Sequence, residues 1–75
     1  MKTKIIMNHN IHNYKLFYNI DGIKVKYYND IEKLNIDFFM LYCYSKNMGK
    51  PEPYIIDKYG NKLIFNEFIE TYYKL

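Results

Sequence analysis

Asp21-Gly22 constrains this chain more than any other pair of residues, because alternating side chains run away from it in both directions across residues 14–29. An Asp-Gly pair supplies the positive φ angles of a two-residue hairpin turn, and the flanking alternation suits strands with one buried face. The segment predicts a β-hairpin. Closing it with Ile20 opposite Ile23 pairs Tyr18 with Val25 and Leu16 with Tyr27. That register gathers Tyr14, Leu16, Tyr18, Ile20, Ile23, Val25 and Tyr27 on a core face and leaves Lys15, Phe17, Asn19, Lys24, Lys26 and Tyr28 on the other.

Asn29 or Asp30 then opens a helix, with Glu32 three residues after Asn29 as in a capping box and acids at the positive helix end. Gly49 and Pro51 close it, which predicts one helix over residues 31–47. Its face Ile31, Leu34, Phe38, Leu41, Tyr42 and Ser45 can pack on a sheet. A second apolar stripe, Ile36, Phe39, Met40 and Cys43 with Tyr44 beside it, lies nearly opposite. The expectation is that a last helix covers this stripe through Phe68, Ile69 and Tyr72; the alternative is a homodimer or partner interface.

Beyond Pro51-Glu52-Pro53, residues 54–57 and 61–65 read as a second hairpin, since Asp57-Lys58-Tyr59-Gly60 places Asp and Gly where a type I turn wants them. Asn66 is the expected cap of a short helix over residues 67–75. Residues 2–7 read as a further strand, joined to the first hairpin by an Asn-rich stretch. The whole is an α+β chain: a small antiparallel sheet of two β-hairpins, with that N-terminal strand, packed against one central helix and a short C-terminal helix.

Length limits the rest. Seventy-five residues make one small domain, 1–75, of which about 60% of the unfolded surface is buried on folding. No apolar run approaches the roughly 20 residues of a membrane span, so the expected setting is the cytoplasm, without membrane attachment. Cys43 is the one cysteine, which excludes an internal disulfide and a multi-cysteine metal cage.

The chain contains no Arg, Ala, Gln or Trp, while Lys, Asn, Ile and Tyr are heavily used. A+T-rich coding produces this bias, and with so short a chain it fits a phage or mobile-element product. Without Arg, bidentate phosphate recognition and guanine readout lose their usual side chain. The formal charge of +3 is concentrated early: residues 1–26 hold five Lys against Asp21 alone, and the remainder holds six Lys against seven acids.

Catalytic and metal chemistry find little to build on. His9 and His12 supply two of the ligands a zinc site needs and no spacing signature supplies a third, so they are expected to be loop residues. Cys43 sits among apolar helix neighbours rather than in the electropositive pocket that activates a thiolate. The carboxylates are scattered, and no Gly-rich phosphate loop exists. Counting back from Glu67 as the last ligand of a calcium loop puts Ile56, Lys58 and Gly60 at ligand positions, which fails. No catalytic residue, metal or cofactor is assigned.

What remains is surface. Ten tyrosines exceed what one small core can bury with every hydroxyl satisfied. The surface expected to bind a partner is therefore the outer hairpin face, Lys15, Phe17, Lys24, Lys26 and Tyr28, with Tyr44, Tyr59 and Tyr73. The expectation is a small non-enzymatic protein-binding protein of phage or mobile-element origin that inhibits a host protein or complex, anti-CRISPR proteins being an example of the class. The alternative is a nucleic-acid-binding accessory protein that stacks bases on the hairpin aromatics and follows phosphates with its lysines.

Overall fold

A computed structural model describes residues 13–73. The order is β1 (Tyr14–Asn19), β2 (Ile23–Tyr28), α1 (Ile31–Met48), β3 (Tyr54–Ile56), β4 (Lys62–Ile64) and α2 (Phe65–Tyr72). The strands form one antiparallel sheet in the order β2-β1-β3-β4, with the two hairpins joined side by side through β1 and β3. This is the expected α+β architecture. The strand read from residues 2–7, and His9 and His12, lie outside the described residues.

The first hairpin departs from its expected register by one residue. Its loop has three residues, Ile20, Asp21 and Gly22, so Asn19 stands opposite Ile23, Phe17 opposite Val25 and Tyr14 opposite Tyr28. Asp21 and Gly22 do take positive φ, 78° and 108°, but the Asn19 Oδ1 accepts the Gly22 N–H and closes the loop one residue further out. One residue of slip turns every β2 side chain to the opposite face. Tyr28 therefore enters the core, while Val25 and Ile23 face outward and are 37% and 77% exposed. The helix explains the choice. It begins three residues after Tyr28 and covers only that end of β2, so Tyr28 gains burial and a bond to Asp37, and Ile23 and Val25 would have gained little.

Asp30 caps α1 by accepting the Glu32 N–H at 2.9 Å, while Asn29 accepts the Asn13 N–H instead of serving as the cap. Gly49 ends the helix in the left-handed region at φ 69°, a conformation glycine adopts without a Cβ penalty. Leu34 and Phe38 are fully buried, with Leu16, Ile55 and Phe68 around them. Phe38 meets the rings of Phe65 and Phe68 at 5.2 and 5.3 Å, and Tyr14 meets Tyr72 edge-on at 6.0 Å.

The second hairpin turns as expected through Asp57 to Gly60, with the Gly60 N–H donating to the Asp57 carbonyl. The Asp57 side chain also anchors β4 and the end of α2. Its buried carboxylate accepts from the Tyr59 and Asn61 backbone N–H groups at 2.9 and 2.8 Å, from Asn61 Nδ2 at 3.3 Å and from the Tyr72 hydroxyl at 2.8 Å. Burial opposes its ionisation, but the donors outweigh burial and hold its carboxyl below the ordinary value. Tyr72 is shifted upward, by burial first and by its bond to Asp57 second.

The last helix starts two residues earlier than expected, directly from β4. Glu67 reaches back to accept the Ile64 N–H at 2.9 Å, so Asn66 is not the cap. Tethered at the β4 edge, α2 meets α1 through Phe65 against Phe39 and Tyr42. It covers the second stripe of α1 only in part, through Phe65 on Phe39 rather than through Phe68, Ile69 and Tyr72. Ile36 and Met40 remain 59% and 62% exposed, Phe39 is half-covered, and Cys43 is half-buried.

Candidate functional site

Both helices pack on one side of the sheet. Strand alternation therefore divides the strand residues in two. Tyr14, Leu16 and Ile55 point towards the helices and are buried. The opposite face is formed by Ile23, Val25 and Tyr27 of β2, Lys15, Phe17 and Asn19 of β1, Tyr54 and Ile56 of β3, and Lys62 and Ile64 of β4. Among the described residues no helix or strand lies over it.

At its centre, Phe17 stands directly opposite Tyr54, and the two rings stack at 5.0 Å with 11° between their planes. Lys62 places its ammonium 4.4 Å from the Tyr54 ring centroid, on the negative face of the ring. Ile64 pairs with Tyr54 on one side, and Val25 with Phe17 on the other. The strands thus present a band of apolar and aromatic side chains with two ammonium groups, Lys15 and Lys62, and no carboxylate among their outward positions.

The residues singled out from the sequence do not all meet there. Lys15 and Phe17 lie on this face as expected. Lys24, Lys26 and Tyr28 lie on the helix side, because the register turned β2 over. Tyr28 is buried and its hydroxyl donates to the Asp37 carboxylate, so burial and that bond both raise its pKa. Lys26 reaches the same carboxylate at 3.9 Å. Tyr44 is half-buried on α1, Tyr59 is exposed at the β3–β4 turn below Lys58, and Tyr73 follows α2 with its ring against Phe68. These tyrosines belong to separate elements.

Conversely, Ile23 and Val25, expected in the core, lie on this face, and Tyr54, Lys62 and Ile64 join it without a sequence expectation as site residues. In a strand Tyr54 and Ile56 share one face and Ile55 takes the other. That alternation does not show that Tyr54 would lie against Phe17, which depends on pairing two strands nearly forty residues apart. Among the described residues, no group of three or more His, Cys, Asp or Glu side chains could hold a metal ion. No helix among them is long and apolar enough to cross a membrane. No protein family, curated protein or solved structure matches the chain.

Proposed function

We propose that this chain is a non-enzymatic protein-binding protein and that the open face of its sheet is the contact surface. The observation that carries this reading is the band around the stacked Phe17 and Tyr54 rings, apolar at its centre and bordered by Lys15 and Lys62. Protein interfaces are enriched in aromatic side chains at their centre and polar at their rim, and a monomer seldom leaves such a patch without use. The lysines favour a different chain as partner over a second copy: two copies joined face to face would bring four ammonium groups and no strand carboxylate into one contact, whereas a partner with carboxylates around an apolar patch would match them. The composition, rich in Lys, Asn, Ile and Tyr, supports a phage or mobile-element origin, and hence a target among host proteins. Inhibition of host defence, in the manner of anti-CRISPR proteins, is the role that goes with that origin.

The second reading, binding of single-stranded nucleic acid, is favoured by the Phe17–Tyr54 stack with Lys62 beside it. The register weakens it by carrying Lys24 and Lys26 to the other side. Capture of partners from host lysate, run in parallel with and without nuclease, separates the two when done with the wild type, the F17D/Y54D variant and an N47D control on α1. A protein retained by the wild type and N47D through a rise in salt, and lost by F17D/Y54D, supports the reading. Retention of nucleic acid alone, falling steeply and log-linearly with salt, overturns it in favour of the second.

A further inference from the structure

The helix side of β2 holds a second feature. Because α1 meets β2 only towards its Tyr28 end, a cleft of about 380 Å³ opens between the tip of the first hairpin and the later turns of the helix. Tyr18 and Ile20 form one wall, Met40, Leu41 and Tyr44 the other, and Lys26 and Asp37 stand at its margin. This volume is within the range of small-ligand sites, which combine an apolar lining with a few polar groups that fix orientation.

The charges at the margin are unequal. Asp37 already accepts from the Tyr28 hydroxyl and faces Lys26 at 3.9 Å. Lys24 lies on the same side of β2, directly opposite Tyr18, a wall residue. On this side of β2 two ammonium groups thus stand against the one carboxylate of the lining, which also accepts from the Tyr28 hydroxyl. A cation entering the cleft would meet Lys26 at its margin and Lys24 beyond Tyr18, whereas an anion would be drawn by both while its apolar part lay between Ile20 and Met40. We propose that the cleft binds a small organic acid, an aromatic or branched apolar body bearing a carboxylate. The site is separate from the open sheet face, and either can fail without the other.

The test uses 4-phenylbutyrate and its uncharged analogue 4-phenylbutyramide, titrated at millimolar concentrations into the isotopically labelled protein and followed by backbone amide NMR spectra. The acid is expected to shift Tyr18, Ile20, Met40, Leu41 and Tyr44 saturably, and the amide to bind roughly two- to fivefold more weakly, the range for an exposed ion pair. In a K24Q/K26Q variant, both positions being exposed, the preference for the acid should disappear. Absence of saturable shifts, shifts centred on Phe17 and Tyr54, equal binding of acid and amide, or a preference that survives in the double variant would each overturn the proposal.

Discussion

Tyr72→Phe is the most informative single change to the fold, because it removes one hydroxyl and no packing volume. That hydroxyl donates to the buried Asp57 carboxylate at 2.8 Å and ties the end of α2 to the β3–β4 turn. Hydrogen bonds to charged groups contribute about 1.5–3 kcal/mol. The lower end applies, since Asp57 keeps donors from Tyr59 and Asn61. A loss of about 1.5 kcal/mol in a domain of this size lowers Tm by roughly 6–12 °C.

The loss should also depend on pH. Folding holds Asp57 below its unfolded value, which is about 4. The carboxylate therefore contributes its full stability above about pH 4 and loses it as pH falls through the lower folded-state value. Once Asp57 is protonated in both states, the bond from Tyr72 is a neutral one worth about 1 kcal/mol or less, so the penalty of Tyr72→Phe shrinks. Thermal melts followed by circular dichroism at pH 7 and in strong acid measure both quantities. A penalty near zero at pH 7, or one that is larger in acid, would refute this assignment of Asp57 and Tyr72.

Urea titrations give the remaining expectations. Val25→Ala should cost less than about 1 kcal/mol, because Val25 is already partly exposed, whereas Tyr28→Ala should cost about 3 kcal/mol or more through lost burial and an abandoned Asp37 contact; the reverse ranking would restore the two-residue loop. Phe38→Ala should cost about 3–5 kcal/mol, since its ring is fully buried against Phe65 and Phe68. Gly49→Ala should destabilise by about 1 kcal/mol although no atom lies within 4 Å of the added Cβ, because the left-handed backbone alone carries the penalty. An unchanged midpoint would show that the helix ends differently.

Elements were legible in the sequence wherever a local chemical signal defined them. Asp21-Gly22 marked the first turn, Gly49 and Pro51 the end of α1, and Asp57 with Gly60 the second turn. Register was not, because residues 23–27 alternate and Ile23-Val25-Tyr27 reads as a better core face than Lys24-Lys26-Tyr28. The deciding contacts are non-local: Tyr28 with Asp37 of α1, and the limited reach of that helix along β2. The start of α2 was misplaced for a related reason, since Glu67 caps it from within the helix. The candidate site inherited the register error. Lys15 and Phe17 belong to the strand whose facing was read correctly, and they stayed in it. Lys24, Lys26 and Tyr28 left it, and Tyr54, Lys62 and Ile64 joined it through a β1–β3 pairing that no short-range pattern encodes.

The exposed apolar sheet face can be measured directly by methyl NMR in the presence of a soluble gadolinium chelate, which broadens signals that solvent reaches. The methyl groups of Ile23, Val25 and Ile64 should broaden strongly, while those of Leu16, Leu34 and Ile55, which are fully buried, should be spared. A Phe17–Tyr54 ring contact should appear in the nuclear Overhauser spectrum of the same sample. Val25 methyl groups as well protected as those of Leu16, with the Tyr27 ring shielded and Tyr28 exposed in its place, would contradict the register and remove the proposed binding face with it.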